Sequence, residues 1–426
     1  MSQERIENRV VARMRKERAR NVRLAKMFAC IVASTLIFVA GFSLRGNTEL
    51  LVSLGFPPSM TGAEHATSLS KKGGEYLGNL SVRVSEVETV LAAESLDSFD
   101  LDAATTASLD AFAASTRDRY LRYYSPERFQ SLSGLDASNY SGVGVLFSEH
   151  NGRAYVVDVF EGSSAQLEGV VEGDFVVAID GDRSQAWSRA EVTAALNKDV
   201  GSSVVITWRR PESFGAEGGE EYTTTLTCSD KAEPNISTSL EDKVGYIKVS
   251  QITANSAALV QRALTELQSD GARSFVLDLR NNPGGYLNQA VDLVSLFSDV
   301  GAVVQVQTNS AVISKSTSGS VVTSAPLVVL VNKNTSSAAE VAAMALQESG
   351  RATVVGETTM GKGSVQITRE LSFGGALRYT AAYYLSPRGT KLDGLGVSPN
   401  VTVVNDGSDD RQFSFAIDSA NTSVSD

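Results

Sequence analysis

Residues 328–366 read VVLVNKNTSSAAEVAAMALQESGRATVVGETTMGKGSVQ, and the pattern of apolar residues changes twice along this stretch. The apolar run 328–331 predicts a short strand, and the polar residues that follow it predict a turn. From Ser337 onward the apolar residues recur at helical spacing, and Gly350 stands where a helix usually ends. A second strand is predicted at 352–356. The stretch therefore predicts the order strand, turn, helix, strand.

Ser337 and Lys362 are the side chains of this stretch with catalytic potential. Ser337 falls in the first turn of the predicted helix, where backbone N–H groups lack intrahelical partners and can hold an oxyanion. A serine nucleophile needs a base, yet the two histidines, His65 and His150, lie far from this stretch in the sequence. A Ser–Lys pair is therefore favoured, provided that burial keeps Lys362 neutral. The alternative is that Ser336 and Ser337 only cap a helix and that Lys362 is solvated.

Two short motifs favour the catalytic interpretation. One is a run of small residues that ends in a glutamate, 335–340, and the other is the Gly-Lys-Gly-Ser-Val-Gln block at 361–366. Together they resemble the active site of the carboxyl-terminal processing peptidases, the tail-specific serine proteases of family S41. The resemblance implies that Ser337 is the nucleophile, that Lys362 is the general base and that Gln366 supports the lysine.

A further motif with the same resemblance lies upstream, where residues 278–285 read DLRNNPGG after an apolar strand. It resembles the DLRxNPGG signature of the family. A Gly-Gly turn can direct a backbone N–H into a cavity. The resemblance implies that Gly284 or Gly285 supplies one oxyanion donor and that the N–H of Ala338 supplies the other.

The resemblance also implies a ClpP/crotonase-like α/β serine protease core over residues 235–403. Within it we expect Asp278 and Arg280 to form a structural pair and not a catalytic one. The polar tail that follows, 404–426, is expected to be disordered from about Asp406 onward.

Residues 139–212 resemble a PDZ domain, which would be rich in strands with a few helices. The resemblance rests on glycine-containing runs at 142–146, 162–165, 169–174 and 179–181. Backbone N–H groups beside glycines suit the capture of a C-terminal carboxylate next to a strand edge. The resemblance implies a carboxylate-binding loop made of Gly142, Val143, Gly144 and Val145. The alternative is that these glycines only form hairpin turns.

The amino-terminal part is first basic and then apolar. Residues 1–26 hold nine Lys or Arg against three Glu, whereas 27–44 form an uncharged run of 18 residues. Such a run is near the lower limit for a membrane-spanning helix, and its basic flank should stay in the cytoplasm. We therefore predict a cytoplasmic tail and an uncleaved transmembrane signal anchor in a bacterial cell membrane. A cleaved signal peptide and a buried core helix are the alternatives.

Between the predicted anchor and the PDZ-like segment, 45–72 has the composition of a linker and 73–138 is helical in pattern. Apolar residues recur at three- and four-residue steps from Leu77 to Leu91. A second helix is predicted at about 105–123, and Ser125-Pro126-Glu127 is typical of the start of a third.

Composition and charge limit the partners, metals and cofactors that the chain is expected to bind. The chain of 426 residues carries a net charge of −11, which argues against nucleic acid. Its two cysteines, Cys30 and Cys228, fall in different predicted environments, so we expect no disulfide, and the spacing of His and Cys suggests no metal site. No cofactor is expected. The expected partners are protein or peptide substrates with accessible C-termini and, through the N-terminal helix, a membrane; a homo-oligomer is compatible with the sequence.

The sequence thus predicts an α+β multidomain protein that acts outside the cytoplasm as a membrane-anchored serine endopeptidase. A catalytically silent, membrane-tethered PDZ adaptor is disfavoured because Ser337, Lys362 and Gln366 occur together. Another enzyme on a crotonase-like core, such as an acyl-CoA hydrolase, is disfavoured by the PDZ-like segment and by the lack of a basic patch for CoA phosphates.

Overall fold

The computed structural model describes residues 80–81, 83–133, 142–184, 186–229, 235–299, 301–318, 321–405 and 409–423. The predicted cytoplasmic tail, signal anchor and linker lie outside these residues. Among the helices that the structure describes, none is long and apolar enough to span a bilayer. The chain divides into one unit up to Asp100 and a larger one from Leu101. In the first unit, 80–81 and 83–94 are helical, in agreement with the predicted helical pattern.

The larger unit contains α-helices and β-strands in mixed order. The helices are α1 Leu101–Ala114, α2 Pro126–Ser133, α3 Ser164–Leu167, α4 Arg189–Leu196, α5 Ser256–Ser269, α6 Leu287–Ser295, α7 Ala338–Glu348 and α8 Arg411–Thr422. The strands are β1 Arg122–Tyr124, β2 Val145–His150, β3 Arg153–Val159, β4 Phe175–Ile179, β5 Ser203–Arg210, β6 Glu220–Thr227, β7 Ile236–Glu241, β8 Val244–Val249, β9 Ser274–Asp278, β10 Ala302–Thr308, β11 Val312–Ser316, β12 Leu327–Val331, β13 Thr353–Gly356, β14 Ser364–Glu370, β15 Ala376–Leu385 and β16 Val401–Thr402.

The central sheet has the strand order β16-β13-β12-β9-β8-β7 and is parallel except for the β7–β8 pair. Its middle strands are continuous apolar runs because helices cover both faces of the sheet. Helices α5, α6 and α7 bury Val260, Leu264 and Leu293 among others on one face. The strands predicted at 328–331 and 352–356 are confirmed as β12 and β13, with one-residue differences at their starts. Polar residues at the ends of these parallel strands therefore meet along one edge.

Helix α8 covers the other face of the central sheet, so the expectation of a disordered tail is wrong for residues 411–422. Ala416 and Ala420 are fully buried against Val276 and Val328. The side chain of Asp410 caps the helix by accepting from the N–H of Phe413 at 3.0 Å. Small apolar residues at helical spacing give the helix a face that packs on the sheet, although the segment as a whole is polar.

A second sheet is antiparallel, with the order β1-β15-β10-β11 and with β14 paired to β15. The predicted helix at 105–123 is wrong at its carboxyl end, because α1 stops at Ala114 and residues 122–124 form β1. Pairing with β15 buries Tyr123 and Tyr124, and this burial outweighs the local helical pattern. Helix α2 begins at Pro126, as predicted.

Residues 142–229 form a separate antiparallel sheet, here called the β2–β6 body, in the order β2-β3-β4-β5-β6 with α3 and α4. The predicted end of this segment at residue 212 is too early. Strand β6 pairs with β5 along its whole length, and Leu226 on it is fully buried. Gly142 and Ser229 close the body by forming a bridge between its two ends.

Candidate active site

Ser337 lies at the turn where β12 leads into α7. Its backbone dihedrals, φ 58° and ψ −121°, are unfavourable for a residue with a side chain. Hydrogen bonds on the residues before it hold this conformation. The hydroxyl of Thr335 donates to the carbonyl of Leu279 at 2.8 Å, and the N–H of Ser336 donates to the carbonyl of Asn282 at 2.9 Å. The ends of β9 and β12 thus fix the half-buried Ser337 in a sharp turn.

The Gly-Gly turn after β9 touches the Ser337 turn. A Cβ on Gly284 would lie 2.9 Å from the nitrogen of Ala338, and a Cβ on Gly285 would lie 1.9 Å from the carbonyl oxygen of Ile252. Only glycine therefore fits at both positions. The N–H of Gly284 donates to Oδ1 of Asn282 at 2.8 Å. In the part of the chain that the structure describes, the N–H groups of Gly285 and Ala338 have no acceptor.

A buried carboxylate joins the Ser337 turn to the Lys362 loop. Oε2 of Glu340 accepts from the N–H of Ser337 at 2.8 Å and from the N–H of Lys362 at 2.9 Å. Oε1 accepts from the N–H of Gly361 at 2.7 Å and from the hydroxyl of Thr359. Burial raises the pKa of Glu340, and these hydrogen bonds act in the opposite direction. Glu340 thereby links the backbones of Ser337 and Lys362, the two candidate residues from the sequence.

Glu340 was given no role from the sequence. It stands three residues after Ser337, and that spacing places both residues on the same face of a helix. The spacing is the signal that could have found it. That Glu340 also holds the loop at 359–362 depends on the tertiary fold.

The side chain of Lys362 lies in a largely enclosed position between Tyr120, which precedes β1, the β2–β6 body and β15. Its ammonium nitrogen is 5.5 Å from the centre of the Tyr120 ring. Burial lowers the pKa of Lys362; the carboxylate of Glu149 raises it and the guanidinium of Arg378 lowers it. The net direction is downward, as a lysine base requires.

Glu149, on β2, is the charged neighbour that the sequence did not indicate. Its side chain is 1% exposed, and Oε1 lies 3.0 Å from Nη2 of Arg378. Burial favours the neutral form of Glu149, but Lys362 and Arg378 outweigh it, so the pKa of Glu149 lies below its ordinary value. No motif or periodicity marks Glu149 or Tyr120, because both reach Lys362 only through the fold.

Gln366 lies on β14, four residues after Lys362. Its Nε2 donates to the hydroxyl of Ser364 at 3.0 Å and to the hydroxyl of Thr380 at 3.4 Å. The amide NH₂ is therefore directed toward the hydroxyls of Ser364 on β14 and Thr380 on β15. Within the described residues, its Oε1 has no hydrogen-bond donor.

The four residues of the predicted carboxylate loop lie at the start of β2, which is an edge strand of its sheet. The N–H of Gly142 donates to the carbonyl of Ser229 at 3.0 Å, and the carbonyl of Gly144 accepts from Phe160 at 2.9 Å. The carbonyl of Val143 accepts from Ala165 at 3.2 Å. The opposite end of the same strand carries Glu149, beside Lys362.

Asp278 and Arg280 form the predicted pair. Nη2 of Arg280 lies 2.6 Å from Oδ2 of Asp278, and Nη1 of Arg280 lies 2.6 Å from Asp410 before α8. The hydroxyl of Tyr246 donates to Asp278 at 2.6 Å.

Over the ranges that the structure describes, no group of three His, Cys, Asp or Glu side chains is arranged to hold a metal ion.

The family model "Peptidase family S41" matches residues 243–403 of the chain. A carboxyl-terminal-processing protease of Picosynechococcus sp. is 35% identical over 293 residues, which cover 67% of this chain and 70% of the relative. The chloroplastic carboxyl-terminal-processing peptidase 3 of Arabidopsis thaliana is 32% identical, and the match covers 69% of this chain and 59% of that protein.

Among solved structures, the chain is similar to a photosystem II D1 C-terminal processing protease. The TM-score is 0.62 at 28% sequence identity, and the match covers 75% of this chain and 86% of the other. The family model matches only residues 243–403, whereas this match covers 75% of the chain. The similarity therefore extends beyond the protease core.

Proposed function

The chain belongs to the carboxyl-terminal-processing serine proteases of peptidase family S41, and on this premise we propose that it cuts protein substrates near their C-termini through Ser337 and Lys362. The observation that carries the proposal is the buried carboxylate of Glu340. One of its oxygens accepts from the backbone N–H groups of both residues. The backbones of the nucleophile and the base thus share one hydrogen-bond acceptor.

The proposed reaction is acyl transfer with lysine as the base. Neutral Lys362 takes the proton of the Ser337 hydroxyl as Oγ attacks the scissile carbonyl, and it later returns the proton to the leaving amine. The oxyanion is held by the N–H of Ala338 and, since the N–H of Gly284 is already bonded to Asn282, by the N–H of Gly285. Water then hydrolyses the acyl-enzyme. The lowered pKa of Lys362 supports the base role.

Comparison of the wild-type full chain with Ser337→Ala and Lys362→Ala tests this proposal. An unfolded protein such as casein and a peptide with a free C-terminus would be incubated with each protein, and the products identified by mass spectrometry. We expect cleavage by the wild type only, with both variants folded. Folded wild type without cleavage would instead favour the silent adaptor, and cleavage by Ser337→Ala would remove the serine mechanism.

We also propose that the β2–β6 body is a PDZ domain that binds the substrate's C-terminus along β2. Its support is the position of β2 at the sheet edge, where an extended peptide can add as a further strand. A peptide acid should bind more tightly than the same peptide as its C-terminal amide. Equal affinities would mean that the loop at 142–145 is only a structural turn.

The basic segment 1–26 and the apolar run 27–44 support a single-pass anchor with the protease outside the cytoplasm. A reporter enzyme fused after Phe56 should then be active only in the exported compartment. Activity of the fusion in the cytoplasm would exclude this topology.

A further inference from the structure

The α1–β1 loop, residues 115–121, crosses the base side of the candidate site. Asp118 in this loop accepts from the N–H of Thr380 at 2.7 Å and from its hydroxyl at 2.8 Å. The side chain of Arg119 donates to Oδ1 of Asn151 in the β2–β3 turn at 3.0 Å. The loop is therefore attached both to β15 and to the β2–β6 body.

Tyr120, at the centre of this attachment, presents its ring to the ammonium of Lys362, with 5.5 Å between the nitrogen and the ring centre. Its hydroxyl lies beside the side chain of Ser364. Burial raises the pKa of Tyr120 to about 12, so the phenol stays neutral at working pH. The uncharged ring therefore covers one side of the Lys362 ammonium group.

A chain of hydrogen bonds leads from this loop to Gln366. Asp118 accepts from the hydroxyl of Thr380, which in turn accepts from Nε2 of Gln366 at 3.4 Å. The same Nε2 donates to the hydroxyl of Ser364 at 3.0 Å, and the Ser364 side chain lies beside Tyr120. These bonds fix the amide of Gln366 with its NH₂ toward Ser364 and Thr380, which leaves Oε1 as the group that can accept from the lysine.

We propose that Asp118 and Tyr120 are positioning residues for the general base: Tyr120 shields the Lys362 side chain, and Asp118 orients Gln366 through Thr380. This inference rests on the proposed function of Lys362. The ring keeps water from the neutral amine, and its face attracts the cation that forms when the amine accepts the serine proton. The fixed amide restricts the directions in which Lys362 can point.

The ring acts on Lys362 among several charged groups, and these do not change when the ring is removed. They are Glu149 on β2, Arg189 on α4, Glu340 on α7 and Arg378 on β15. Burial is the largest cause of the lowered pKa of Lys362. Water that enters in place of the ring would stabilise the ammonium, so the pKa of the base should rise. Loss of the attraction between the cation and the ring would instead lower the pKa of Lys362. This effect is the smaller one, because desolvation dominates the pKa at this buried site.

The test compares Tyr120→Leu with Tyr120→Phe in the full chain, with a peptide substrate and a pH series. For Tyr120→Leu we expect kcat to fall by roughly 10- to 100-fold with little change in KM, and the rise of kcat with pH to move to higher pH. Tyr120→Phe keeps the ring and should retain the wild-type midpoint, with a loss of at most about fivefold.

Thr380→Val tests the second half of the proposal, and Thr368→Val, at an exposed position on β14, is its control. Thr380→Val should lower kcat by about five- to tenfold with KM unchanged, because Gln366 loses one of its two anchors. Thr368→Val should behave as wild type.

Three results would overturn the proposal. The first is an unchanged kcat and pH midpoint in Tyr120→Leu, and the second is an equal loss in Thr380→Val and its control. The third is a loss of activity that only follows the loss of folded protein in thermal unfolding. Ser337→Ala and Lys362→Ala are assayed in parallel. If they remain active, the proposed function fails and this inference with it, whereas inactive Ser337→Ala beside an unaffected Tyr120→Leu rejects the inference alone.

Discussion

On the nucleophile side of the site, main-chain carbonyls at the end of β9 hold the Ser337 turn, whereas on the base side Lys362 is surrounded by side chains from distant segments. The carbonyls of Leu279 and Asn282 hold the Ser337 turn. The neighbours of Lys362 include Tyr120, before β1, and Glu149, on the β2–β6 body. One side is therefore set by main-chain geometry and the other by side-chain environment.

This difference indicates how each side can be altered. A change in the geometry of the Ser337 turn has to disturb the backbone, so it should lower the rate without changing the ionisation of the base. A change around Lys362 can leave the backbone intact and still alter the proton affinity of the amine. Separate readouts, the rate at optimal pH and the pH midpoint, distinguish the two sides.

The largest effect is expected when the base itself is replaced by Lys362→Arg. A guanidinium stays protonated and cannot accept the serine proton, so kcat/KM should fall by roughly 10²- to 10⁴-fold at every pH. Peptide cleavage measured across the neutral to alkaline range checks this. Lys391→Arg, at an exposed lysine, is the matched control. Wild-type-like activity in Lys362→Arg would remove the lysine from the mechanism.

The second effect concerns the nucleophile side, where Gly284→Ala would place a methyl group 2.9 Å from the nitrogen of Ala338. Displacement of an oxyanion donor should lower kcat by about 10²- to 10³-fold without moving the pH midpoint.

Gly350→Ala is the matched control for this change, because Gly350 also has a positive φ, 71°, but nothing lies within 4 Å of an added Cβ. It should cost only about 1 kcal/mol of stability and leave the specific activity unchanged. Equal losses of activity in both variants would show that backbone strain alone, and not contact with the Ser337 turn, is responsible.

A third and smaller effect is predicted for Glu149→Gln on the base side. The carboxylate favours the protonated lysine, so its removal should lower the pKa of Lys362 further. The rise of kcat/KM with pH should then begin at a lower pH than in the wild type. Thermal unfolding should show a loss of stability, because Arg378 keeps its charge without its partner.

Glu172→Gln is the control for this shift, since Glu172 also lies on the β2–β6 body but contacts the nucleophile side. Its Oε1 accepts from Nδ2 of Asn334 at 2.8 Å, and a glutamine can keep that bond. We expect no movement of the pH midpoint. A shift of equal size in both variants would mean that the β2–β6 body acts on Lys362 as a whole and not through Glu149.

The smallest effect on catalysis is expected far from both sides, in α8. Ala416→Asp would bury a charge against the central sheet and should lower the free energy of unfolding by about 3 kcal/mol. Ser414→Asp, on the exposed face of the same helix, should not. Denaturant unfolding checks both, and the specific activity of the folded Ala416→Asp protein should equal that of the wild type. Selective loss of activity would connect α8 to the site.

Much of the core was predictable from the sequence, because strands buried on both faces must be continuous apolar runs. Strands β12 and β13 fall within one residue of the predicted ranges. The candidate pair Ser337 and Lys362 was also visible, since its motifs are short and contiguous. The end of α1 and the tail were wrong, because β1 and α8 exist only through contacts with distant strands.

The sequence by itself determined which serine and which lysine are candidates and that the lysine must be buried to act. Only the tertiary structure decided how the lysine is buried. Tyr120, Glu149 and Arg378 meet Lys362 from three separate elements. Periodicity and local motifs report contacts between residues a few positions apart, whereas the pKa of a buried amine depends on desolvation and charge in space. Those quantities are defined only after the segments have packed together.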